Sequence, residues 1–221
     1  LVKRNKIKQF FSKFFKKAPD VNIDINKTKN GSKTVDEIKF PEPNFKIDKS
    51  NPEQYAKEKK EYVDSIIHYA DHTDKNLNIK ALNAIEKYGT SEHLEKFGGL
   101  YLGKEDEELI RPFVRTAAAI GKPVEHSFYI FEWLIDPNYK LSTETYKEIF
   151  KGIEKIGVKP GLYKYLPNVF NKVSTSPDDE LAKALTNTLC KVSTKEHIPE
   201  LQKYAGSENP VVRESIAKII K

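Results

Sequence analysis

The chain has 221 residues, enough for one large or two small domains, with 38% hydrophobic and 32% charged residues and a net charge of +6. That balance suits thin, layered helical packing better than one thick core, and no apolar run reaches the roughly 18 residues of a membrane span, so a soluble protein is expected. A lone cysteine, Cys190, excludes an internal disulfide, and a chain that begins at Leu1 and holds no Met is expected to be a processed or trimmed product.

The first segment, Val2 to Lys17, carries Lys3, Arg4, Lys6, Lys8, Lys13, Lys16 and Lys17 and no acid. Subtracting these seven charges from the net of +6 leaves about −1 for the remainder, so the basic character belongs to this tail. Ile7, Phe10, Phe11, Phe14 and Phe15 recur at helical spacing, which puts an aromatic stripe on one face and the lysines on the other. A basic amphipathic helix suits an anionic membrane surface, and these cations and phenylalanines are its candidate contacts. Three other readings stay open: the phenylalanines cap the first helix pair, the segment flanks a removed anchor, or it binds nucleic acid.

From Ala18 to Ser50 the prolines, Gly31 and many polar residues predict a linker or extended arm. Val21, Ile23 and Ile25, then Asn30-Gly31, then Val35, Ile38 and Phe40 leave a small hairpin as the less favoured alternative, since two strands without a packing partner are marginal. Residues 1–50 therefore read as an appendage and residues 51–221 as a separate array. Asn51-Pro52 opens a long helix, a capping residue followed by proline where its missing N–H costs nothing. Its apolar face is Tyr55, Tyr62, Val63, Ile66, Ile67 and Ala70, and it carries His68 and His72 one turn apart. Such a pair can grip a metal, but no third ligand accompanies it, so neither metal nor cofactor is expected.

Downstream, five helices share one apolar frame. Leu77, Ala81, Ala84 and Tyr88 align with Ile110, Val114, Ala117 and Ile120, with Tyr146, Phe150, Ile153 and Ile156, with Leu181, Leu185, Thr188 and Leu189, and with Val212, Ile216, Ile219 and Ile220, at intervals of about 31 to 36 residues. This predicts stacked helix pairs, with inner helices near 75–88, 106–120, 142–156, 178–192 and 208–220, each after a cap-type residue, and outer helices near 91–102, 123–136, 160–173 and 195–206. Gly89, Gly121 and Gly157 end the first three inner helices, as expected of residues that turn left-handed past a C-terminus. In the most apolar outer helix, Phe128, Phe131, Leu134 and Ile135 are assigned to the core, while Tyr129 and Trp133, four apart, are candidates for an exposed aromatic anchor. Cys190, beside Leu185 and Leu189, is expected to be a small core residue.

Asn209-Pro210-Val211-Val212-Arg213 resembles the start of the second helix in a HEAT-type repeat, which often carries an Asp or Asn near its start and a Val-Arg a few residues later. Asp106 with Ile110-Arg111 matches more loosely, with Pro112 expected to interrupt the helix, and Lys147 and Ala182 stand where the middle repeats lose the Arg. The resemblance covers roughly residues 50–221. It implies an all-α fold, a right-handed α-α superhelix or HEAT/armadillo-like solenoid, whose inner helices form a partner-binding groove. It also implies a ladder in which Arg111, Lys147 and Arg213 bond Asp106, Asp178, Asp179 or Asn209 of a neighbouring repeat, against the alternative of a ligand-facing row. Arg115, one turn beyond Arg111, is freer to reach a partner.

The expectation is a non-catalytic scaffold in the cytoplasm that binds a protein or peptide through Arg111, Arg115, Lys147, Tyr129 and Trp133, with its tail placing it at a membrane surface or a second partner. No nucleophile with a positioned base, Gly-rich phosphate loop or metal set speaks for an enzyme. The rival is a nucleic-acid binder resembling the HEAT-like alkylpurine DNA glycosylases. The near-neutral array, and a single Trp133 with Asp136 three residues on, argue against it.

Overall fold

The computed structural model describes residues 39–45, 51–136, 138–174 and 179–221. The chain divides into two units, Leu1–Lys39 and Phe40–Lys221. The tail, the strands proposed around Asn30-Gly31, Asp178 and the side chain of Asp179 lie outside the described residues. Among those described there is no strand, and every regular element is a helix. Ten described α-helices follow in order: α1 Pro52–Ile66, α2 Lys75–Tyr88, α3 Ser91–Phe97, α4 Glu107–Ile120, α5 Phe128–Ile135, α6 Thr143–Ile156, α7 Leu166–Ser174, α8 Asp179–Val192, α9 Ile198–Gln202 and α10 Pro210–Ile220. Single 3₁₀ segments extend α1 and α3 and precede α7 and α9.

Short polar side chains start the helices because each satisfies a backbone N–H that has no partner within the first turn. Asn51 accepts from Gln54 N–H at 3.1 Å, Asp74 from Asn76 at 2.8 Å, Asp106 from Glu108 at 3.0 Å, Ser142 from Thr145 at 3.3 Å and Asn209 from Val211 at 2.9 Å. The four last of these cap α2, α4, α6 and α10. Helices α2, α4, α6, α8 and α10 pack side by side in sequence order, and they occupy the ranges expected for the inner helices. Their shared frame is what they bury: Ala81, Ile110, Val114, Ala117, Ile153, Leu185, Leu189 and Ile216 are fully covered. Of the last frame positions, Ile156 and Leu189 are buried, while Tyr88, Ile120 and Ile220 are half-buried at helix ends.

Of the outer helices, α5 has nearly every residue buried, and it touches α4, α6 and α7. An apolar helix enclosed on three sides buries nearly its whole circumference. Phe131, Leu134 and Ile135 are buried as expected, but so are Tyr129 and Trp133, and Phe128 is the half-buried member.

Several local expectations are corrected. Pro112 does not interrupt α4, which runs unbroken from Glu107 to Ile120. The proline removes its own N–H bond to the preceding turn, and the helix continues past it. Gly157 is left-handed, at φ +81°, but Gly89 and Gly121 are extended, at φ −74° and −67°. Close approach explains the glycine at Gly121: a Cβ there would lie 2.4 Å from Ala117 O. The first long helix tightens to 3₁₀ at Ile67 and ends at Asp71, so His72 falls outside it and its Nδ1 accepts the Asp74 N–H at 3.0 Å. Cys190 is exposed, although Ala182 and Thr186 on its own row of α8 are buried; it stands near the C-terminal end of that helix.

Candidate functional site

Three neighbouring helices, α2, α4 and α6, present their non-buried faces to one open depression of about 650 Å³. Residues four apart on a helix share a face. Arg111 and Arg115 of α4 and Lys147 and Lys151 of α6 thus reach the depression as two parallel pairs, joined by Lys75 and Ile79 of α2. Glu108, Glu144 and Glu148 complete its charged lining.

The cations differ in how far they are already engaged. Lys75 Nζ lies 2.8 Å from Asp106 and 2.6 Å from Glu108, tying α2 to α4. Hydrogen bonding to both carboxylates raises the Lys75 ammonium above its ordinary range, and the same contact holds the Asp106 carboxyl low. Lys147 reaches Glu180 of α8 at 3.4 Å, Lys151 lies 3.9 Å from Glu148, and Arg115 Nε stands 3.7 Å from Glu86 of α2. Arg111 Nε donates to its own helix, at Glu107 O, 3.3 Å away. Solvent-exposed pairs at these separations are worth about 0–1 kcal/mol, so an incoming carboxylate can displace them.

None of the expected Arg–Asp pairs is formed among the described residues, though other polar contacts join successive helices. Asp106 is bonded by Lys75, not Arg111, and Arg213 Nη1 donates to the nearby Ser207 O at 2.9 Å. Glu107 accepts from the Ser142 and Thr145 hydroxyls, joining α4 to α6. Burial pushes its carboxyl up, but these hydrogen bonds outweigh that and hold it low. Lys191 binds Glu154 at 2.8 Å, joining α6 to α8. Asp106 caps its own helix with Oδ1 and takes Lys75 with Oδ2, and Asn209 caps Val211 N–H.

Of the five expected partner contacts, Arg111, Arg115 and Lys147 line this depression together. Tyr129 and Trp133 do not. Trp133 is fully buried, its Nε1 donating to Lys104 O at 3.0 Å, and its ring meets Phe113 at 5.8 Å. Tyr129 lies against Gly98, where an added Cβ would come within 2.7 Å of the ring, so a glycine in the preceding outer segment makes its socket. Lys151 and Lys75 were missed. Lys151 was readable, standing four residues after Lys147 as Arg115 stands after Arg111.

Among the described residues no group of three or more His, Cys, Asp or Glu side chains is placed to hold a metal, and no described helix is long and apolar enough to cross a membrane. No known protein family matches the chain, and neither a curated protein nor a solved structure does.

Proposed function

We propose that residues 51–221 are a HEAT-like scaffold, a right-handed α-α superhelix with no catalytic role, that binds a protein or peptide partner on the face of its inner helices. The observation that carries this reading is the depression across α2, α4 and α6, with Arg111, Arg115 and Lys147 on one surface. Its lining mixes five cationic with three acidic side chains, which suits a polar peptide of mixed charge better than the uniform negative charge of a nucleic acid. The serial packing of α2, α4, α6, α8 and α10 supports the repeat reading, since a solenoid joins each unit only to its neighbours. The basic segment 3–17 attaches the scaffold to an anionic membrane surface.

The test is an affinity capture with the full chain as bait, repeated with Arg111→Glu/Arg115→Glu/Lys147→Glu. A partner that binds this face is retained by the first bait and lost from the second while both remain folded by circular dichroism. Retention of the same proteins by both baits would refute a partner site on this face.

A further inference from the structure

The segment Phe40-Pro41-Glu42-Pro43-Asn44-Phe45 belongs to no helix or strand, yet it is held in place. Each proline fixes its own φ and pushes the residue before it toward an extended conformation, so the run is stiff and needs little further ordering. Phe40, Pro41, Pro43 and Phe45 are half-buried, whereas Glu42 and Asn44 are exposed. One edge of the segment therefore faces the protein.

That edge meets tyrosines. Tyr55, Tyr62 and Tyr69 recur every seven residues along α1 and its 3₁₀ extension, which keeps them on one face. Tyr88, the last residue of α2, stands beside them, 5.8 Å from the Tyr62 ring. The Phe45 ring contacts Tyr55 at 5.7 Å, Tyr62 at 5.7 Å and Tyr88 at 5.1 Å, each edge to face. Phe40 meets Tyr69 at 5.5 Å. Between these two anchors the Tyr62 hydroxyl donates to the Pro41 carbonyl at 3.1 Å. Aromatic slots for ring side chains, a hydroxyl aimed at a carbonyl within a proline run, and a pre-stiffened ligand together make up the recognition mode for proline-rich peptides.

We infer that the tyrosine face of α1 and α2 is a peptide-binding site for segments of the form Phe-Pro-x-Pro-x-Phe, filled here by residues 40–45 and available to a partner protein carrying the same chemistry. It is separate from the charged depression and needs none of its residues. Six residues separate Phe45 from Pro52, so the chain's own segment competes at the millimolar effective concentration of a short tether. A partner segment must exceed that or meet a chain whose own segment has been drawn away.

The test uses the full chain with Phe40→Ala/Phe45→Ala, which empties both aromatic slots, and a fluorescein-labelled peptide of residues 39–45 as probe. Anisotropy is expected to show saturable binding to this variant and binding at least about tenfold weaker to the wild-type chain, whose own segment competes. Adding Tyr62→Phe to the variant should weaken binding about fivefold, the worth of one hydrogen bond. A probe with alanine in place of both phenylalanines should not bind. Should the double variant fail to fold, Phe40→Leu/Phe45→Leu, which keeps most of the apolar volume but loses both ring contacts, serves as host with the same expectations. No saturable binding to a folded host overturns the inference and leaves residues 40–45 as a structural cap. Binding indifferent to Tyr62 and to the probe's phenylalanines overturns it as well.

Discussion

Three histidines sit at the starts of outer segments, each preceded by glutamate: Glu92-His93, Glu125-His126 and Glu196-His197. In each, Nδ1 accepts a backbone N–H, from Thr90 at 3.0 Å, Lys122 at 3.2 Å and Thr194 at 2.8 Å. At Thr90 and Thr194 the ring of the third residue, His93 and His197, acts where a capping box has its Glu or Gln. Burial holds His93 and His126 below the usual imidazole range, against the pull of Asp64 and Glu95. Between that lowered pKa and the unfolded value of about 6.5 the unfolded chain binds more protons, so stability rises with pH. Melting temperature should thus be flat above about pH 7 and fall as pH drops from about 6.5 to 5, before the carboxylates titrate. His93→Gln/His126→Gln, which keeps a capping group without a titrating ring, should flatten that slope. Melts followed by circular dichroism across this range check it, and an unchanged slope in the variant would exclude the histidines as its source. What was legible at this scale was local. Asp74, Asp106, Ser142 and Asn209 could be read as caps because a cap acts within its own first turn. Tyr129 and Trp133 could not be placed, because a helix apolar all round leaves no polar stripe to say which side is open.

At the scale of elements the inner helices were readable nearly to the residue, since apolar frame and cap agree at every described start. The outer segments were less so. Their 3₁₀ stretches at Gly98–Tyr101, Pro160–Tyr165 and Lys195–His197 break the 3.6-residue period on which the reading depended. Helix ends were legible as glycines but not for the right reason at every site, because a close approach of packed elements is a long-range fact. Gly121 tests that reason. An alanine there would put its Cβ 2.4 Å from the Ala117 carbonyl and 2.7 Å from Ile156 Cδ1, so backbone must shift, at a cost of about 1–3 kcal/mol. Gly206, with nothing within 4 Å of an added Cβ, should accept alanine almost without change. Chemical denaturation of the two variants gives the comparison, and equal midpoints would refute the packing argument. Ile216 of α10 is fully buried. Ile216→Asp should strip protection from α9 and α10 while α2 and α4 keep theirs, if coupling runs only between neighbours. Hydrogen exchange that rises uniformly along the chain would contradict serial packing.

For the molecule as a whole, charge was legible because it requires only counting, whereas the seat of Phe40–Phe45 on the tyrosines was not, because it joins residues that local patterns treat separately. Phe40 reads as part of a linker or extended arm and Tyr62 as part of a helix face. The separation of charge leads to the last prediction. Seven positive charges lie within residues 3–17, while the rest of the chain is near neutral. Lysines near an anionic surface are worth about 1 kcal/mol each, so the segment alone can supply several kcal/mol of reversible attachment, screened by salt. The full chain should co-sediment with vesicles containing phosphatidylserine at low salt and be released at high salt. Deletion of residues 1–17 should abolish sedimentation, and Phe11→Asp/Phe14→Asp should weaken it although every Lys and Arg remains, because the apolar stripe supplies the rest of the binding. If the phenylalanines instead cap the first helix pair, the same deletion lowers the melting temperature and leaves vesicle binding unchanged. Hydrogen exchange in plain buffer separates the two accounts directly: strong protection of Phe10 to Phe15 without lipid would rule out a membrane-binding tail.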